Sequence, residues 1–357
     1  MAEVVFILTD FFGGADADGE RNAGAALPAL PLLETLLARA QRTTLQSDWR
    51  GWLAAHAAGA PTHPPGPDAS LAQTVAAAFG ADAPARQAAG QLWLASPVHY
   101  FAGLDSVFLH PAGLLNLDGA EQDRLVADFA RVFSASPWTL RSIGRRDLLL
   151  AGPAIAASSA DPAQFAGCDP SAGLPSGVGS ATLRGLGAEM EMWLYEHPLN
   201  IERRGRGELP VTTFWLWGAQ QGRRLPATAG PRARPHSQPM QPMQASQPVR
   251  LYGRDTYAEA LWRLQGGAML PLPEGFDAAI IGDGGDAIFL HSLLQPQGLS
   301  AALLQFEQHW LSGALRLLRQ RRIAVLRLLV GTHAYALRWR HLARVWRPRT
   351  AWWETLA

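Results

Sequence analysis

Three features of the 357-residue chain predict an α/β fold with a parallel-rich sheet. Val4-Val5-Phe6-Ile7-Leu8 is an unbroken apolar run, the pattern of a strand buried on both faces. It ends at Asp10 and the Gly13-Gly14 pair, and residues 27–42 then carry Leu32, Leu33, Leu36 and Leu37 at helical spacing. The same alternation returns late in the chain, where a long helical pattern from Leu299 to Gln320 precedes Ile323 to Val330, which reads as the last strand.

Between these ends the elements read in order. Residues 60–68 are rich in Pro and Gly and read as a loop. Two strands, covering 92–101 and 106–109, precede a helix that starts at Asp118. Asp118 with Glu121 three residues later is a capping-box pattern, and Leu125, Val126, Phe129, Val132 and Phe133 supply the buried face. Leu148 to Ala151 reads as a short strand. Thr182 to His197 reads as a helix through Leu183, Leu186, Met190, Trp193, Leu194 and His197, ended by Pro198. Val211 to Trp217 is aromatic and β-branched and reads as a strand. Residues 223–249, dominated by Pro, Gln, Met, Ser and Ala without periodicity, read as a disordered loop. A helix is expected through 258–262, and Ala278-Ala279-Ile280-Ile281 reads as a strand ending at Asp283. The domain pattern expected is a core built from 1–90, 179–222 and 250–357, with a smaller α/β domain inserted at 91–178.

Bulk properties remove several function classes. A hydrophobic fraction of 48% is globular, and a formal charge of +1 gives no global field for nucleic acid or membrane. The single cysteine, Cys168, excludes an internal disulfide, and its Gly-Cys-Asp-Pro loop setting argues against a catalytic thiol. No stretch reaches the roughly 20 apolar residues of a membrane span, and the first residues lack a signal-peptide pattern, so the cytoplasm is the expected location. No dinucleotide fingerprint, P-loop or Gly-x-Ser-x-Gly sequence is present.

Residues 196–218 hold coupled motifs: Glu196-His197-Pro198-Leu199-Asn200, then Arg203-Arg204-Gly205-Arg206-Gly207-Glu208-Leu209-Pro210, then Phe214-Trp215-Leu216-Trp217-Gly218. This series resembles archaeal-type cofactor-independent phosphoglycerate mutases, and is more similar still to a bacterial group of RpfE-like regulatory proteins. The resemblance is strongest over 182–218 and extends weakly through nearly the whole chain. It implies an alkaline-phosphatase-like core and a two-metal site loaded with Mn²⁺, Mg²⁺ or Zn²⁺, in which two ions clamp a phosphoryl group and a Ser or Thr oxygen attacks phosphorus.

The residues expected at such a site match unevenly. Asp10, after the first strand, matches the first metal ligand. Ser47-Asp48 falls where the nucleophile segment would fall, without the Pro-Gly that precedes it in the family; an ordinary helix cap before Trp49 is the alternative. Asp283, Asp286 and His291 form the late acidic cluster with a His, or a solvated turn. Thr332-His333 follows a strand where the family has Asp-His, so a carboxylate is missing beside His333. His197, Asn200, Arg203, Arg204 and Arg206 are candidate ligand-binding residues, or parts of a helix terminus and a basic loop.

The incomplete ligand set gives as the leading expectation a degenerate mutase-like protein that binds a phosphorylated small molecule or a protein partner in a regulatory role. The alternative is an active metal-dependent mutase or phosphatase. A third reading comes from the C-terminus, where ten Arg between Arg316 and Arg349 interleave with Trp339 and Trp346 before Trp352-Trp353. Arg with aromatics suits an anionic or protein partner, while near-neutral net charge disfavours nucleic acid.

Overall fold

In the computed structural model the described residues are 2–11, 27–57, 69–79, 90–103, 106–219, 249–282, 284–294 and 298–356. The loop expected at 60–68 and nearly all of 223–249 lie outside them, as does Asp283. The chain divides into two units, Met1–Thr62 with Arg223–Ala357, and His63–Gly222.

The first unit opens with β1 (Ala2–Leu8), α1 (Pro31–Arg39), β2 (Gln41–Thr44) and α2 (Trp49–Ala57). Pro31 stands in the first turn of α1, where a missing amide proton costs nothing.

The second unit holds α3 (Leu71–Phe79), β3 (Gln91–Ala102), β4 (Val107–Leu114), α4 (Gly119–Val132), β5 (Thr139–Arg141), β6 (Leu148–Gly152), α5 (Ser180–Tyr195), α6 (Pro198–Gly205) and β7 (Thr213–Trp217). β3 is the axis of an antiparallel five-stranded sheet and pairs with β4, β6 and β7 along different stretches. The expected capping box is present. Asp118 Oδ1 accepts from the Glu121 amide at 2.8 Å, and Glu121 Oε2 accepts from the Asp118 amide at 3.1 Å. Residues 179–219, expected in the core, belong to this unit, because β7 hydrogen-bonds to β3 and α5 packs in the same cluster as Trp93, Phe129 and Leu150.

The chain returns to the first unit with β8 (Arg250–Tyr252), α7 (Thr256–Leu264), β9 (Met269–Leu270), α8 (Ala278–Ile281) and β10 (Ala287–His291). Then follow α9 (Leu299–Phe306), a π-helical turn (Glu307–Leu311), α10 (Ser312–Arg319), β11 (Ile323–Val330), β12 (His333–Arg338) and α11 (Trp352–Leu356). The seven-stranded sheet runs β9-β8-β10-β1-β11-β12-β2. β1, β8, β9, β10 and β11 run parallel, and β12 is antiparallel to both its neighbours. Val4, Phe6 and Leu8 face a core built with α1, α9 and α10, and Val5 and Ile7 are equally buried on the other face.

Two expectations are corrected. Residues 278–281 are helical because Asp277 Oδ1 caps the Ala279 and Ile280 amides (2.7 and 3.2 Å) and Gly282, at φ +53°, turns the chain out of the helix. The strand lies later, so Asp286 precedes it and His291 ends it. Ile323–Val330 is also not the last strand. Gly331, at φ +55°, opens a two-residue turn that returns the chain as β12, in which His333 pairs with Val330.

The C-terminal segment is fastened to α1. Arg39 donates to the Leu342 carbonyl (2.8 Å), Arg344 to the Arg39 carbonyl (3.0 Å), and the fully buried Trp352 donates through Nε1 to the Pro28 carbonyl (2.9 Å). No helix among the described residues is long and apolar enough to cross a membrane.

Burial assigns different weights to the terminal tryptophans. Trp352→Ala is expected to cost about 3–5 kcal/mol, while Trp346→Ala, at a side chain 73% exposed, is expected to stay within about 0.5 kcal/mol. Urea midpoints of the two variants check the contrast.

Candidate functional site

The register of the parallel strands decides which candidates share an edge. Leu8 lies beside His291 on β10 and beside Val330 on β11. The residues that follow, Thr9-Asp10, Ser292 and Thr332-His333, therefore gather at the carboxyl edge of the sheet, where open α/β sheets place their sites. Ser47 and Asp48 follow β2, which runs parallel to β11 and ends on the same edge.

Asp10 is held there by hydroxyls. Ser292 Oγ donates to Asp10 Oδ2, and Thr9 Oγ1 donates to the same oxygen at 3.0 Å. The Thr9 amide donates to the His291 carbonyl at 3.0 Å and continues the β1–β10 ladder by one step.

Asp286 is at the other end. It stands opposite Glu3, whose amide donates to Asp286 Oδ1 at 2.6 Å. His291 lies five residues further along the strand, roughly 17 Å at about 3.3 Å per residue. Asp10 and Asp286 therefore do not reach a common ion.

The two histidines are both neutral and occupied by other roles. His291 is buried, its ring set against Phe6, Phe306 and Trp310 at centroid distances of 5.6, 5.1 and 4.4 Å. Its Nε2 has no hydrogen-bond partner, and burial pulls its pKa down to about 3. The imidazole faces the core, where it fills space among aromatics. His333 Nε2 accepts from Arg42 at 2.8 Å, since a guanidinium can only donate. Burial, and after it the Arg42 charge, hold the His333 pKa below its ordinary value.

Ser47 Oγ donates to the Asp48 carbonyl at 3.3 Å, and Asp48 Oδ1 accepts from the Gly51 amide at 3.0 Å, a cap at the start of α2. No imidazole or carboxylate is hydrogen-bonded to Ser47 among the described residues. The same residues contain no cluster of three His, Cys, Asp or Glu side chains able to hold a metal. The described positions thus do not fit a two-metal site; Asp283 lies outside them.

The motif of the second unit is used up internally. His197 is not on the face of α5; that helix ends at Tyr195, and His197 caps α6, its Nδ1 accepting from the Leu199 amide at 3.2 Å. This leaves Nε2 as the protonated nitrogen, which donates to Asp128 Oδ2 at 3.0 Å. Asn200 satisfies its whole amide group. Nδ2 donates to the Leu194 and Val211 carbonyls (2.7 and 2.8 Å), and Oδ1 accepts from the Val211 amide (2.7 Å), so one side chain ties the end of α5 to the approach to β7.

Arg203 is buried, with NH1 2.9 Å from both Glu121 oxygens and Nε donating to the Leu209 carbonyl at 2.8 Å. Arg206 reaches Glu121 Oε1 at 2.6 Å and Glu208 Oε2 at 2.8 Å. Arg204 alone of the three is exposed with no ion pair among the described residues. Sequence reasoning did not identify Ser292, Arg42, Glu121 or Asp128 as partners of the candidates. Glu121 was legible as a helix cap, while the other three pairings depend on long-range register.

No protein-family model matches the chain, and no curated protein is significantly similar to it in sequence. Among solved structures, the cofactor-independent phosphoglycerate mutase of Thermoplasma acidophilum DSM 1728 is 12% identical, with a TM-score of 0.38 over 94% of this chain and 89% of that one. The PH0037 protein of Pyrococcus horikoshii is 10% identical, with a TM-score of 0.43 over 94% and 86%. Identity this low carries no residue role from either structure to this chain.

Two outcomes are expected from this geometry. Glu121→Gln leaves the buried Arg203 with only the half-exposed Glu208 carboxylate, 3.3 Å away, as counter-charge and should cost about 3 kcal/mol, whereas Arg204→Gln should stay within about 0.5 kcal/mol; denaturant midpoints decide. For His291, the folded pKa lies below the unfolded value of about 6.5, so only the unfolded chain takes up the proton as pH falls from 6.5 toward 3. Stability is full above pH 6.5 and lost below it, by about 2 kcal/mol at pH 5. Comparing wild type with His291→Phe at pH 7 and pH 5 should show this component of the acid lability removed.

Proposed function

We propose that this chain is a phosphoglycerate-mutase-like protein that keeps the family's scaffold motifs without its two-metal site. On this reading it acts as a cytoplasmic bacterial regulator that binds a phosphorylated metabolite or a protein partner. The observation that carries the reading is the β1–β10 register. It places Asp10 and Asp286 at opposite edges of the sheet and leaves His291 among core aromatics. A two-metal phosphoryl clamp needs several carboxylates and imidazoles on one edge, to bind the ions and offset their charge. Here the carboxyl edge presents Asp10 with two hydroxyls, and His333 with its Nε2 lone pair bonded to Arg42. The motif series that carries the family resemblance supports the scaffold half of the reading, because His197, Asn200 and Arg203 all hold the second unit together.

The active-enzyme reading is favoured by one feature, the position of Asp10 itself. The two are separated by titrating chelated full-length protein with Mn²⁺, Mg²⁺ and Zn²⁺ while recording the melting temperature, and by assaying interconversion of 3- and 2-phosphoglycerate. The expected result is no saturable metal-dependent rise and no turnover. A rise abolished by Asp10→Ala, together with turnover on the order of 1 per second or faster, would overturn the proposal and restore a working phosphomutase. A ligand bound only by the native state at a hundredfold excess over its Kd stabilises by about 2.7 kcal/mol, well within reach of the measurement.

A further inference from the structure

The arginines of the C-terminal segment converge on a feature that the reading above does not use. At the end of α1 an open hollow of about 480 Å³ is walled by Arg42, Arg344 and Arg347, with Tyr335 and the Thr350 and Thr355 hydroxyls beside them. All belong to the first unit. β2 and β12 bring Arg42 and Tyr335 together, since the two residues are directly paired across the strands.

The charge in this hollow is not balanced. Among the described residues none of the three guanidiniums pairs with a carboxylate. Arg344 NH1 donates to the Arg39 carbonyl at 3.0 Å, and Arg347 NH1 to the Ala38 and Ala40 carbonyls at 3.4 and 3.3 Å. These carbonyls are the C-terminal end of α1, worth about half a negative charge, against three full positive ones. Each guanidinium carries five donors, and the bonds named occupy one nitrogen of each, NH2 in Arg42. The chain as a whole is only +1, so the excess is local.

A second, independent sign is the Tyr335 hydroxyl. Tyr335 is 1% exposed, and its oxygen is buried with no hydrogen-bond partner. A buried hydroxyl left unbonded costs about 1–3 kcal/mol, and Tyr335 lines the hollow beside Arg42, its partner across the strands.

We propose that this hollow is a binding site for the phosphoryl group of a small molecule, with Arg42, Arg344 and Arg347 clamping its oxygens and Tyr335 donating to one of them. A planar guanidinium fork matches phosphoryl oxygens bidentately, and three such forks suit a dianion better than a carboxylate. The proposed site does not include Asp10 and stands whether or not the carboxyl edge is catalytic.

The test uses the full chain with inorganic phosphate and pyrophosphate as probes, read by calorimetric titration and melting temperature against chloride at equal ionic strength. Saturable binding is expected. Arg347→Gln and Arg42→Gln should each weaken it at least tenfold. Tyr335→Phe should weaken it several-fold while melting at or above the wild-type temperature without phosphate, which separates lost binding from lost folding. Asp10→Ala should leave it unchanged. Absence of saturable binding, or equal affinity in wild type and Tyr335→Phe and Arg347→Gln, would overturn the assignment. So would binding of single-stranded nucleic acid with steep salt dependence in the absence of any phosphate binding, which would reassign the arginines to a backbone-tracking surface.

Discussion

β1 has strands on both sides and apolar side chains on both faces, and this double burial constrains everything around it. Its amides and carbonyls cannot reach water, so β10 and β11 must supply their partners. Parallel pairing on both sides then fixes where three chain segments emerge together. Asp10, Ser292 and Thr332 are neighbours at one edge because Leu8, His291 and Val330 are in register. The same register sends Asp286 to the opposite edge. The geometry of the candidate site is thus a consequence of the hydrophobic strand more than of the polar residues that form it.

In the second unit one carboxylate has a comparable role. Glu121 closes the capping box of α4 and accepts from Arg203 and Arg206. Buried ion pairs are costly unless every donor and acceptor is used, and here the carboxylate takes an amide and two guanidiniums while Arg203 also bonds the Leu209 carbonyl. The motif around His197, Asn200 and Arg203 behaves as a fastening between α4, α5, α6 and β7. Its residues need particular identities for shape and hydrogen bonding, which is enough to keep such a motif recognisable without any ligand.

Local signals in the sequence were sufficient for some of this and not for the rest. Val4–Leu8, the Asp118–Glu121 cap and the strand expected at Val211–Trp217 follow from patterns a few residues long, and all are present, the last over Thr213–Trp217. Residues 278–281 read as a strand because Ile280-Ile281 looks β-like alone, whereas the decisive group is the Asp277 cap one residue earlier. The spacing of His197 suits a helix face, while Pro198 and its own Nδ1 make it the start of the next helix. At the candidate site, Asp10 was legible from its position after a strand. The separation of Asp286 from Asp10 was not, since it depends on pairing between residues 283 positions apart. The arginine-rich C-terminus was visible as composition, but its attachment to the end of α1 depends on tertiary contacts.

The π-helical turn at Glu307–Leu311 reaches further than its five residues. Leu30, at the N-cap position of α1, offers no capping side chain, and the Leu32 and Leu33 amides bond instead to Glu307 Oε2, at 3.1 and 2.8 Å, from the far-off π turn. Three residues on, Trp310 lies against Phe6, Phe289 and His291. Regularising the turn by deleting one residue would rotate everything beyond it by about 100°. Either the carboxylate would leave the amides or the indole would leave the aromatic cluster. The helix is therefore intolerant of single-residue length change at a place where no surface loop is involved, and insertions or deletions among relatives of this chain should be found on either side of that turn and not within it.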